Sequence, residues 1–361
     1  MTKVCIMAGG TGGHIFPALA LAQALQAEGV DVHWLGSQTG METRILPQHP
    51  QIQLHTLNIQ GLRGSGILRL IKAPWKLTQA VMQARRLLKK IRPTCVLGFG
   101  GFTSGPGGLA ARTLGIPLCL HEQNALAGLT NRCLAPFAQH LWCAFDQAFP
   151  NQSNKSVVGN PVRFEITRLA PPKQRYAQRR TQETAYNVLI VGGSLGAQVF
   201  NTQIPLMAAH LKTPINLYHQ AGKGASQNVL AAYQAQDLPQ VKDLQVSDFI
   251  EDMAAAYAWA DWVICRAGAL TLAELSAAGV ASILVPYPYA VDDHQTHNAR
   301  VLSEAGGAYL LPQTELVPEK IAAWLDAHLP LGENYAQDAY QTMPTQATEQ
   351  ILTYLKTHRL I

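Results

Sequence analysis

The chain has 361 residues, 48% of them hydrophobic and 14% charged, with a net charge of +5. That length exceeds one typical core, and the composition is that of a globular chain rather than a disordered or fibrous one. No stretch approaches the ~20 uninterrupted apolar residues of a membrane span, and the first residues read straight into a strand with no leader, so a cytoplasmic location is expected.

The charge is unevenly divided. Residues 1–160 hold 14 Lys and Arg against five acids, a net +9, and the remainder is net −4. A basic half joined to an acidic half implies that only the first meets a polyanion or an anionic surface.

In chain order, residues 4–8 form an apolar run that breaks into Gly9-Gly10-Thr11-Gly12-Gly13-His14, and a helical pattern runs from Pro17 to Glu28. The spacing predicts strand, glycine turn and helix, with Pro17 in the first turn, where its missing N–H has no partner to lose. Bare N–H groups at the positive end of a helix suit a phosphate. A tight connection would look the same, and it is the imidazole of His14 that points to chemistry.

Further strands are predicted at 32–35, 95–98, 117–121 and 141–144, and a helix at 77–91. Residues 66–77 mix bulky apolar side chains with cations, and Pro74 is expected to break them into two short amphipathic pieces. The pattern pauses near 157–162, and a Pro- and charge-rich stretch follows from 170 to 184. Alternation restarts at 187–191 with a second strand–glycine–helix unit, Gly192-Gly193-Ser194-Leu195-Gly196, which marks a second α/β domain. Strands are also predicted at 215–219, 262–265 and 282–285. The six cysteines show no CxxC and read as buried, reduced thiols.

Neither glycine turn has the GxGxxG spacing, no carboxylate closes the second strand, and no Walker pattern exists, so a nicotinamide cofactor and ATP are disfavoured. No HExxH zinc motif or GxSxG elbow is present. His294 and His297 behind Asp292 and Asp293 read as a solvated helix start rather than metal ligands. The densest polar cluster lies at 268–274 and 292–299. Thr271 and the N–H groups around it suit phosphate oxygens, Glu274 suits a ribose diol, and Gln295 offers sugar hydroxyls both a donor and an acceptor. Helix capping by Thr271 and Asp293 is the plainer alternative for each residue alone.

Taken in order, Gly9-Gly10-Thr11-Gly12-Gly13-His14, Ser104-Gly105-Pro106-Gly107-Gly108, His121-Glu122-Gln123-Asn124, Gly159-Asn160-Pro161-Val162-Arg163, Gly192-Gly193-Ser194, Gly268-Ala269-Leu270-Thr271 and 292–299 resemble the MurG glycosyltransferase family. The resemblance runs from the first strand to about Gly307 and is loose beyond. It implies an α/β GT-B fold, two Rossmann-like domains facing across a cleft. Residues 1–160 would form an N-terminal domain on the acceptor and membrane side, joined by a helix at 341–361. Residues 161–340 would bind UDP-GlcNAc. The implied activity is inverting transfer of GlcNAc from UDP-GlcNAc to the C4 hydroxyl of MurNAc in undecaprenyl-diphospho-MurNAc-pentapeptide, lipid I to lipid II. That step belongs to peptidoglycan and cell-wall synthesis, and through it to cell shape and division.

Carried to matching positions, the resemblance implies donor contacts at Thr11, Gly12, Gly13, Asn124, Arg163, Ser194, Ile250, Ala269, Leu270, Thr271, Leu272, Ala273, Glu274 and Gln295. Leu195 and His294 stand where family members can carry glutamine. His14 is the candidate base. A membrane face is expected at Ile67, Leu68, Leu70, Ile71, Lys72, Trp75 and Lys76, placing the chain peripherally on the cytoplasmic face of the inner membrane; a connecting helix packed on the sheet is the alternative. No prosthetic group and no nucleic acid are implied, cell-wall synthesis proteins are possible partners, and dependence on a divalent cation is left open. A lipid galactosyltransferase, a UDP-GlcNAc 2-epimerase and a non-enzymatic sugar-nucleotide sensor remain as other readings.

Overall fold

The computed structural model describes residues 2–59, 67–182, 184–193, 196–290 and 293–361. The chain divides into two compact units. Unit 1 comprises Met1–Arg163 with Pro344–Ile361, and unit 2 is Phe164–Met343.

Unit 1 is built on a parallel sheet of β1 (Lys3–Met7), β2 (Asp31–Ser37), β3 (Gln53–Leu57), β4 (Cys95–Gly98), β5 (Leu118–Glu122), β6 (His140–Cys143) and β7 (Lys155–Val157), in the spatial order β3-β2-β1-β4-β5-β6-β7. In the central strand, Val4 lies opposite Val32 on one side and Cys95 on the other. Period-two alternation sends Val4, Ile6 and Ala8 into one core, with Leu21, Leu25 and Trp34. Cys5 and Met7 enter the other, with Ala84, Leu88 and Leu120. The order reverses between β1 and β4, the point where open α/β sheets bind ligands beyond their strand ends.

Unit 2 repeats the plan with β8 (Tyr186–Val191), β9 (Ile215–Gln220), β10 (Val241–Ser247), β11 (Trp262–Cys265), β12 (Ala281–Leu284) and β13 (Ala308–Leu310), ordered β10-β9-β8-β11-β12-β13 and also parallel. Here the switch point lies between β8 and β11.

Two local expectations are corrected. The first helix is Gly12–Ala27, so it begins inside the glycine run and Pro17 sits in its second turn. The proline therefore does remove a bond, the one its N–H would have given to the Gly13 carbonyl. Nor does Pro74 break its segment, because one helix runs continuously over Ile67–Ile91 with Pro74 inside. A single proline deletes one rung, and a helix this long keeps the rungs on either side, with Ala80, Ala84, Leu88 and Ile91 buried along one stripe.

Five of the six cysteines are buried in strands, and Cys133 alone is exposed. Burial pushes the Cys5, Cys119 and Cys265 thiols up to about 12, so they are packing groups rather than nucleophiles.

Candidate functional site

In unit 1 the turn after β1 leads into the N-terminus of helix Gly12–Ala27, where the Thr11 carbonyl accepts from the N–H groups of His14 and Ile15. The turn after β4 lies against it: a Cβ on Gly101 would stand 2.1 Å from the Gly9 carbonyl oxygen, so only glycine permits this approach. His14 is half-buried at the helix start. Its Nδ1 lies 2.9 Å from Gln123 Oε1, and Gln123 Nε2 lies 3.0 Å from His121 Nδ1. His121 Nε2 lies 2.9 Å from the Gly159 carbonyl oxygen. Four groups, from the first helix, strand β5 and the loops after β5 and β7, thus form one chain of hydrogen bonds.

The neighbouring Glu122 is buried and saturated. Its Oε1 accepts from the Asn124 N–H and side-chain amide at 3.1 and 3.2 Å, and its Oε2 accepts from Gly128 N–H at 3.0 Å and Asn131 Nδ2 at 2.8 Å. It therefore shapes the loop that carries Asn124 rather than acting as an acid or base. At the end of β2, Glu42 is fully buried and accepts from Ser37 N–H and Oγ at 2.6 and 2.8 Å. That carboxylate is turned inward and cannot read a ribose.

In unit 2 the turn after β11 runs through Arg266 to Gly268, which precedes helix Ala269–Ala278. Ala269, Leu272 and Ala273 are buried, and the Leu272 N–H donates to the Gly268 carbonyl at 3.0 Å, so an anion at this helix start would meet the backbone of the first turn rather than N–H groups further along. Thr271 is partly exposed on the first turn. Glu274 is buried, and its Oε2 accepts from the Tyr257 hydroxyl at 3.2 Å. Gln295, on helix His294–Glu304, accepts from the Tyr287 N–H at 2.9 Å through Oε1, which leaves its NH2 as the group to offer a sugar. Asp293 accepts from Thr296 Oγ1 at 2.7 Å and makes no side-chain cap to the backbone. Ile250 is buried beyond the end of β10. Ser194, Leu195 and Asp292 lie outside the described residues.

Sequence reasoning passed over Arg266. Its guanidinium donates to the Val285 and Pro286 carbonyls at 3.2 Å each and to Gln313 Oε1 at 2.8 Å. It thereby ties the loops after β11 and β12 together. Gln123 and His121 were also missed as site residues, although their motif was noted. Among the described residues no group of three or more His, Cys, Asp or Glu is placed to hold a metal ion.

The family model for the glycosyltransferase family 28 N-terminal domain matches residues 4–142, and that for the C-terminal domain matches 187–352. This chain belongs to glycosyltransferase family 28. The family match continues past Gly307, where the motif resemblance had thinned. A UDP-N-acetylglucosamine--N-acetylmuramyl-(pentapeptide) pyrophosphoryl-undecaprenol N-acetylglucosamine transferase of Aeromonas hydrophila is 50% identical over 349 residues, covering 96% of this chain and 94% of the relative. The crystal structure of Acinetobacter baumannii MurG superposes with a TM-score of 0.85 at 41% identity, over 99% of this chain and 100% of that one. A UDP-GlcNAc 2-epimerase from Neisseria meningitidis has a TM-score of 0.65 at 16% identity, over 99% of this chain and 100% of that one, a likeness of fold alone. The fold of this family 28 chain is accordingly GT-B, two Rossmann-like α/β domains.

Of the proposed membrane-facing residues, the side chains at 67–73 lie outside the described residues. Trp75 is 69% exposed, Leu77 is 41% exposed, and every residue from Pro74 to Gln79 is exposed. Among the described residues, this part of the helix packs against no core. No helix among the described residues is long and apolar enough to cross a membrane.

Proposed function

We propose that this chain is an inverting glycosyltransferase that moves GlcNAc from UDP-GlcNAc to the C4 hydroxyl of MurNAc in undecaprenyl-diphospho-MurNAc-pentapeptide. Lipid I becomes lipid II, a step of peptidoglycan synthesis. The observation that carries the reading is the 50% identity to an enzyme of that name over 96% of the chain.

Unit 2 holds the donor. The N–H groups at Ala269 to Thr271, with Ser194 and, from unit 1, Arg163, receive the diphosphate, Glu274 receives the ribose, and the Gln295 NH2 a sugar hydroxyl; Ile250 and Leu270 to Ala273 line the same site. Thr11, Gly12, Gly13 and Asn124 of unit 1 complete the donor contacts. Unit 1 receives the acceptor, and His14 takes the proton of its C4 hydroxyl. The oxygen attacks the anomeric carbon from the side opposite UDP, inverting the centre, and the departing charge is met by fixed N–H dipoles and a guanidinium.

The helix around Trp75 and Lys76, continuing the apolar and basic run Ile67, Leu68, Leu70, Ile71 and Lys72, seats unit 1 on the cytoplasmic face of the inner membrane. Incubation with UDP-GlcNAc and a short-chain lipid I analogue should release UDP and give a product heavier by one GlcNAc residue. UDP-GlcNAc epimerised without acceptor would favour the 2-epimerase instead, and binding with no turnover a sensor.

A further inference from the structure

We propose that Gln123 is the positioning residue that holds His14 in the tautomer a base requires, and that His121 and the Gly159 carbonyl fix which way the Gln123 amide faces. The proposal rests on the reading of His14 as the base for the acceptor hydroxyl.

A carbonyl oxygen only accepts, so His121 Nε2, 2.9 Å from the Gly159 oxygen, carries a proton. Burial pushes the pKa of this imidazole down to about 4, so the ring is neutral at physiological pH and its Nδ1 keeps a lone pair. Gln123 Nε2 lies 3.0 Å from that lone pair and 3.1 Å from the His121 carbonyl oxygen. Two acceptors on one side demand the NH2 end of the amide there. Oε1 therefore faces His14, and because it too only accepts, His14 Nδ1 must donate across the 2.9 Å between them. A neutral His14 then carries its proton on Nδ1 and its lone pair on Nε2, which has no hydrogen-bond partner among the described residues.

The surroundings hold each member still. Phe99 stacks on His121 with ring centroids 5.2 Å apart, and Asn160 Nδ2 donates to the Gln123 carbonyl at 3.2 Å. The nearest carboxylate in sequence, Glu122, is spent on Asn124, Gly128 and Asn131 and does not join the relay.

In the transfer, the acceptor O–H bond breaks and its proton moves to His14 Nε2. The oxygen's electron pair forms the new glycosidic bond, and the bond to UDP breaks with its pair left on the diphosphate. The resulting imidazolium donates from Nδ1 to Gln123 as before, so nothing in the relay rearranges as the charge appears.

The ring nitrogens of His14, observed by long-range nitrogen–proton correlation NMR and assigned by their loss in His14→Ala, should show the proton on Nδ1. Gln123→Leu should let it redistribute to Nε2 and lower kcat by about a hundredfold or more, the low end of what a positioned general base contributes, with UDP affinity unchanged. Gln123→Glu keeps an oxygen against Nδ1 and should retain the Nδ1–H form, while its second oxygen meets the two His121 acceptors in place of the NH2 group, so its turnover should fall between those of Gln123→Leu and the unaltered protein. A proton on Nε2 in the unaltered protein, or an Nδ1–H form that survives in Gln123→Leu with UDP affinity intact, overturns the proposal. Undiminished turnover in His14→Ala would remove the base role, an outcome separate from the ring spectra, which decide the relay alone.

Discussion

Gly100 passes directly beneath the His14 imidazole: a Cβ built on it, at φ +91°, stands 3.2 Å from Cε1 and 3.3 Å from Nδ1. The seat of the proposed base is therefore a backbone surface that tolerates no side chain. Gly100→Ala meets both the ring and an unfavourable backbone conformation, and should cost about 1–3 kcal/mol of stability. It should also tilt the imidazole away from Gln123, lowering turnover more than UDP binding. Urea unfolding together with steady-state kinetics checks this, and a variant with unaltered kcat would show that ring placement is not critical.

Arg163 ends the first segment of unit 1 and is half-buried after the Asn160-Pro161 turn. If it meets the donor diphosphate, Arg163→Ala should weaken UDP and UDP-GlcNAc together by roughly 1.5–3 kcal/mol, the worth of a charge-assisted contact. Calorimetry that finds UDP affinity unchanged would assign it a structural place instead.

Acid should loosen both units. Burial lowers the pKa of His121 in unit 1 and of His219 in unit 2 to about 4. The unfolded chain, titrating near 6.5, binds more protons than the native one between those values. The stability these neutral rings contribute is therefore complete above about pH 6.5 and drains away as pH falls to about 4, by about 3 kcal/mol for each. Urea midpoints should drop steeply across that window and flatten below it. His219→Gln should shallow the slope for unit 2 alone; a slope unaltered by that change would mean His219 is not the group responsible.

Membrane attachment should need anionic lipid and weaken as salt rises, since each Lys or Arg near such a surface contributes ~1 kcal/mol. Co-sedimentation with vesicles of phosphatidylglycerol against phosphatidylcholine measures it. Replacing Ile67, Leu68, Leu70 and Ile71 with serine should release the protein while sparing UDP binding. If that variant unfolds, the run is core.

What was legible in the sequence follows burial. Strands at 95–98 and 262–265 match β4 and β11 to the residue, and the other strands predicted lie within one residue at each end, except that 32–35 stops two residues short of the end of β2; a strand buried on both faces reads as an unbroken apolar run. The four strands missed, β3, β7, β10 and β13, are the two edges of each sheet. An edge strand is paired on one side only, and sequences such as Lys155-Ser156-Val157 carry no such run. The candidate site was legible at His14 and at the helix starts, where glycine and polar residues punctuate the pattern. Its hydrogen-bond relay was not, because His14 and Gln123 are 109 positions apart and only the return of β5 beside β4 brings them together. Pro17 misled for a local reason: the helix begins among glycines, which spacing rules place outside it.

Segment 344–361 carries helix Ala347–Thr357, whose Ile351 and Leu355 are fully buried in the same core as Leu21, Leu25 and Trp34. Leu360 accepts from Thr94 Oγ1 through its carbonyl at 2.6 Å. Each of those two buried side chains contributes about 1.5–3 kcal/mol of apolar burial to unit 1, across a loop that contains the whole of unit 2. On the ribosome, the earliest-made strands must therefore wait with one face of their core open until the last eighteen residues emerge. Unit 2, one uninterrupted stretch of chain, can close first. The order of maturation then runs against the order of synthesis, and the glycine turn that carries His14 is made before unit 2 and secured after it.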